Sequence, residues 1–130
     1  MTGLDTNVLA RFFAQDDPDQ CRRADAFMQS LSPENPGFIS LVVLAELVGV
    51  LIRRYGVTKS QLIQCLNQLL DSPEMVLEGQ TAVSQALRRF ASAKVDFVDC
   101  LIERCGQLAG CGETVTFDVN ASASAGMTLL

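Results

Sequence analysis

The chain keeps changing its hydrophobic period, and that alternation constrains its fold more than any other feature. Short apolar runs of strand length give way to longer segments whose apolar residues recur at three and four. Residues 1–4 (MTGL) make the first short run, and Leu9, Phe12 and Phe13 then share a helical face. Asp17 is placed to cap a helix with Pro18 in its first turn, extending to about Ser30, with Ala24, Phe27 and Leu31 on its apolar edge. SPENPG reads as a loop. Residues 37–39 form a short strand, Ser40 caps a helix over 41–55, and Gly56 ends it. Thr58 and Gln61 make a capping box for a helix to about residue 70. A strand over 75–77 precedes a helix over 81–91 carrying Ala82, Val83, Ala86, Leu87 and Phe90 on one side. A helix over 99–109 stops at Gly110, and a strand over 114–117 runs into Asp118. NASASAG reads as a loop and MTLL as a last short strand. Strands alternating with helices predict an α/β domain with a largely parallel sheet. Ligands of such sheets sit outside the carboxyl ends of the strands.

A length of 130 residues suits one domain, spanning 1–130. Such a chain buries roughly two-thirds of its unfolded surface. An apolar fraction of 48% and a mean hydropathy of +0.24 argue against disorder. The apolar runs are far shorter than the ~20 residues that cross a bilayer, so no membrane segment is expected. The opening MTGLDTNVLARFF lacks the basic stretch of a signal peptide, and a cytoplasmic protein is expected. Fifteen acidic residues against ten basic ones leave a net charge of −5, which does not attract phosphate backbones in bulk. The five cysteines include no CxxC pair and read as small buried hydrophobes. Histidine is absent, which removes Ser-His-Asp, Cys-His and other imidazole chemistry.

One residue breaks the greasiest run. Residues 41–52, LVVLAELVGVLI, are all apolar or glycine except Glu46. A carboxylate is costly to take out of water without a compensating partner. Either Glu46 reaches solvent or something positive meets it. Other acids fall where an α/β sheet places its ligands. Asp5 follows the first strand, Asp118 follows TVTF, and Asp96 and Asp99 are spaced to share a helix face. If these acids converge, their repulsion calls for a cation, and oxygen donors without histidine or thiolate suit Mg²⁺ or Mn²⁺. Each acid alone has a plainer reading. An Asp after a strand is most often a turn former or helix cap, and Asp99 sits near the positive end of its helix.

At this point the sequence resembles a known family. GLDTNVLARFFAQDDPDQ is similar to the opening of PIN-domain ribonucleases, VVLAELVGVL to the helix carrying their second acid, and DFVDCLIERCGQLAGCGETVTFD to their third and fourth acidic segments. Within that superfamily the chain most resembles the toxin of VapBC-type toxin–antitoxin pairs. The resemblance implies a three-layer α/β/α fold around a central, mostly parallel five-stranded sheet. It implies RNA cleavage with Mg²⁺ or Mn²⁺, an antitoxin protein as partner, and a homodimer. Carried over residue by residue, the catalytic and metal-binding acids are Asp5, Glu46, Asp99 and Asp118, with Asp96 as a secondary acid. Thr6, Asn7 and Thr116 match polar positions that orient ligands or metal-bound water. The stretch after TFD, often basic in relatives, reads VNASASAG here, so grip on RNA falls to Arg11, Arg53, Arg54, Arg88, Arg89 and Lys94. Two rival readings are a carboxylate-metal phosphatase on a similar fold and a non-catalytic RNA- or partner-binding domain.

Overall fold

A computed structural model describes residues 1–130. The chain forms two compact units, Met1–Glu78 and Gly79–Leu130.

In the first unit three strands, β1 (Thr2–Gly3), β2 (Gly37–Ile39) and β3 (Met75–Leu77), form a parallel sheet in that order. Thr2 pairs with Gly37, and Phe38 with Val76. Four helices connect them: α1 (Thr6–Ala14), α2 (Pro18–Ser30), α3 (Leu41–Arg53) and α4 (Lys59–Asp71). Their starts are written in the local sequence. Asp17 accepts the backbone N–H of Gln20, Ser40 that of Val43, and Thr58 and Gln61 close a capping box in both directions. Gly56 ends the third helix with a φ of 62°, in the left-handed region that a side chain resists. The core gathers Leu9 from α1, Ile39 from β2, Leu44, Leu47 and Leu51 from α3, and Leu62 and Leu66 from α4, all almost fully buried. Because β1 and β2 run parallel, Asp5 and Ser40 both leave the sheet at its carboxyl edge. A connection not visible in the sequence ties that edge together. Glu78, directly after β3, accepts the Leu41 N–H at 2.8 Å and so serves as a second cap for α3.

In the second unit α5 (Gln80–Ser92) and α6 (Phe97–Leu108) pack as a pair, with Phe90 and Phe97 edge to face at 5.9 Å. The face expected for the first of these, Ala82, Val83, Ala86, Leu87 and Phe90, is buried throughout. Phe90 is therefore core. β4 (Val115–Thr116), α7 (Val119–Ser124) and β5 (Thr128–Leu129) then make a small parallel βαβ turn.

Four expectations are corrected here. All five strands are present and parallel, but they are hydrogen-bonded as sheets of three and two, rather than as one of five. NASASAG is not a loop over its length, since Val119–Ser124 is helical. Asp118 caps that helix through the Ala121 N–H, and Ala121 and Ala125, one turn apart, are buried. Small residues favoured by the cap and by packing override a loop-like composition. The helix expected over 99–109 begins earlier, at Phe97, because Phe97 is needed in the core against Phe90. Among the cysteines, which are all free, Cys21 and Cys100 are buried as expected, but Cys111 is exposed.

Candidate active site

Seven helices have N-caps, and six of the cap residues carry a side-chain oxygen able to accept a helix N–H. Asp17, Ser40, Thr58 and Asp118 each accept a backbone N–H of their own helix. Asp5 and Asp96 occupy the same position on α1 and α6, yet neither side chain makes a capping bond. A side-chain cap stabilises a helix by about 1 kcal/mol. Both aspartates forgo it, and both are among the acids singled out from the sequence.

In the first unit, Asp5 is exposed at the carboxyl end of β1, with its backbone carbonyl accepting the Val8 N–H at 3.2 Å. Thr6, next to it, is buried at 2% exposure, while Asn7 is exposed. Glu46 lies on α3, which packs against α1. The question raised by its apolar run has a simple answer. Glu46 is on the exposed side of the helix, while Leu44, Leu47, Val48 and Leu51 take the buried side. It is not a desolvated carboxylate.

In the second unit, Asp96 and Asp118 both bear on Asp99. The Asp99 carboxyl is harder to ionise than an ordinary carboxylate, first because of its partial burial, then because of the negative charge of Asp96 and of Asp118. Glu103, one turn beyond Asp99, is buried at 9% exposure and is engaged elsewhere. Arg104 holds both its oxygens, Nε to Oε2 at 2.6 Å and Nη2 to Oε1 at 2.8 Å. Sequence reasoning missed this clamp, because adjacent helical residues do not ordinarily face each other. Asp118 has one oxygen, Oδ1, committed to the Ala121 N–H at 3.0 Å. The Thr116 hydroxyl accepts the Asp118 N–H at 3.0 Å, so this threonine sets the backbone that carries the acid.

The basic residues divide in the same way. Arg11 donates through Nε to Gln20 and through Nη1 to Asp16 and to the Tyr55 hydroxyl. These bonds brace α1. Arg53 folds back over Gly49, and Arg89 lies beside Gly126, while Arg54 sits 5.6 Å from the Tyr55 ring centre. Arg88 and Lys94 are exposed.

The family model for the PIN domain matches residues 4–126. The chain belongs to the PIN-domain family. That span contains Asp5, Glu46, Asp96, Asp99 and Asp118. PIN domains are broadly associated with nuclease activity and are typically metal-dependent. No curated protein and no solved structure matches the chain. No helix of this PIN domain is long and apolar enough to cross a membrane.

No group of three or more His, Cys, Asp or Glu side chains is gathered as a metal-ion site. The donor chemistry nevertheless fits a hard cation. The acids offer oxygen alone, and Asp99 carries the repulsion of two neighbours that a positive ion would relieve. Mg²⁺ keeps several of its waters and takes only one or two carboxylates directly, so it does not need a closed protein cage.

Proposed function

We propose that this PIN domain is a Mg²⁺- or Mn²⁺-dependent endoribonuclease, and that it is the toxin of a type II toxin–antitoxin pair. The observation that carries the nuclease reading is Asp99, a family acid made harder to ionise first by its partial burial and then by the charges of Asp96 and Asp118. A site that raises a carboxyl in this way is matched to a cation. Asp5, Glu46, Asp99 and Asp118 are the metal-binding and catalytic acids on this reading. A bound divalent ion makes water more acidic and stabilises charge on the phosphoryl oxygens. The residues of the chain do the rest. Asp5 and Asp96 keep their carboxylates clear of their own helices, and Asp118 keeps Oδ2 clear while Oδ1 holds α7. Thr116 fixes the Asp118 backbone, and the exposed Asn7 offers an amide beside Asp5. With no histidine in the chain, proton transfer falls to carboxylates and water.

RNA is the substrate, with Arg53, Arg54, Arg88, Arg89 and Lys94 as backbone contacts. An antitoxin protein silences the enzyme, a homodimer is its assembly and the cytoplasm its location. These readings rest on the resemblance of DTNVL, LAEL, DFVDCLI and TFD to the toxin branch.

Incubation with total RNA tests the proposal. Cleavage in Mg²⁺ that stops in EDTA, with 5′-phosphate and 3′-hydroxyl ends, is the expected result. Hydrolysis of phosphomonoesters without RNA cleavage would move the reading to a phosphatase. RNA binding without cleavage or metal dependence would leave a non-catalytic domain.

A further inference from the structure

A pocket of about 310 Å³ lies between α1 and α2, within the first unit, and none of the acids discussed above lines it. Its size is at the low end for ligand sites, enough for one flat ring and too small for a helix. Val8, Ala24 and Phe27 make its apolar walls, and Asn7, Gln20 and Arg23 supply polar groups. In a chain of net charge −5, the lining contains two arginines and no carboxylate.

The polar groups are already set. Arg11 donates through Nε to Oε1 of Gln20 at 2.6 Å, and is itself braced by Asp16 and by the Tyr55 hydroxyl at 2.6 Å. With its oxygen held, Gln20 has its NH₂ group left as donor. Asn7 offers both a donor and an acceptor. Arg23 is tied only by a loose surface pair with Asp19 at 3.3 Å, its side chain 72% exposed. Such pairs contribute little and yield readily to a phosphate. Phe27 is half-buried and presents a ring to the space. The pocket begins at Asn7, two residues beyond Asp5 on the same helix.

The geometry points to a subsite for one unpaired nucleobase of the RNA, its ring against Phe27, its edge on Gln20 and Asn7, and its phosphate at Arg23. This deepens the ribonuclease reading and rests on it.

The test uses Asp5→Asn protein, in which catalysis is disabled, and titrates it with each of the four ribonucleoside monophosphates while backbone amide signals are followed by NMR. Shifts are expected at Asn7, Ala24 and Phe27, without Mg²⁺ and for nucleotides but not for ribose 5-phosphate. Arg23→Ala, a surface change, is expected to weaken binding about fivefold, and Phe27→Leu, which keeps the pocket filled, about tenfold. Shifts with ribose 5-phosphate alone, no shifts at these residues, or affinities unmoved by both variants would overturn the subsite. So would saturation of the pocket by a peptide that nucleotides do not displace. Because the titration needs no cleavage, failure of the ribonuclease assay and failure of this subsite are read separately.

Discussion

Asp96 and Asp99 stand three residues apart at the start of α6, and Asp99, partly buried and facing the charge of Asp96, is harder to ionise than an ordinary carboxylate. The folded chain therefore holds a proton on Asp99 more readily than the unfolded chain does. Below the ordinary carboxylate range this group contributes its full stability. That contribution is lost as pH rises through the raised folded value. Asp99→Asn removes the penalty. In the absence of divalent ions the variant is expected to melt higher than the parent at neutral pH, with the difference vanishing in acid. Thermal melts across pH check this, and an equal or lower neutral Tm for Asp99→Asn would contradict it.

Asp118 has two separable parts. Its Oδ1 caps α7, and its charge bears on Asp99. Asp118→Asn keeps an oxygen for the Ala121 N–H and should leave stability within about 0.5 kcal/mol, while RNA cleavage falls. Asp118→Ala should in addition lose about 1 kcal/mol of stability. Denaturant unfolding of the two variants distinguishes cap from charge.

The clamp of Arg104 on Glu103 is expected to matter for folding rather than chemistry. Arg104→Ala leaves a largely buried carboxylate without its two hydrogen bonds, at a cost of about 2–3 kcal/mol. Replacing both residues, Glu103→Leu with Arg104→Met, should recover most of that loss. A double variant as unstable as the single one would show that the pair contributes net stability of its own.

What could be read from the sequence was largely local. The caps at Asp17, Ser40 and Thr58 were legible because each acts within three residues of itself. The buried face of α5 was legible because its apolar residues keep a helical period. The strands over 37–39 and 75–77 were equally plain. What escaped depends on residues far apart in the chain. Glu78 caps α3 from a position 37 residues away, and Arg11 meets Tyr55 across 44. No local pattern marks either bond. Arg11, chosen from the sequence as a phosphate contact, also belongs to that network. Alternation identified five strands but could not say that their ladders divide into three and two. As for the acids, position after a strand picked out Asp5 and Asp118 alike. Only the cap geometry separates them, one carboxylate left clear and the other on its helix.

Arg11→Ala is accordingly expected to lower Tm, because Asp16, Tyr55 and Gln20 all lose a partner. Arg88→Ala, at an exposed position, should leave Tm unchanged and weaken RNA binding. Comparing melts with RNA-binding titrations for the two variants checks the division. A stable Arg11→Ala protein with impaired RNA binding would reverse it.

The most direct measurement is the rate of RNA cleavage in Mg²⁺ by Asp5→Asn, Glu46→Gln and Asp99→Asn proteins that melt no lower than the parent. The account predicts that Asp5→Asn and Asp99→Asn abolish cleavage, that Glu46→Gln slows it by at least about a hundredfold, and that chelator silences the parent. Cleavage at the parent rate by Asp5→Asn or Asp99→Asn, or by the parent in excess chelator, would contradict it.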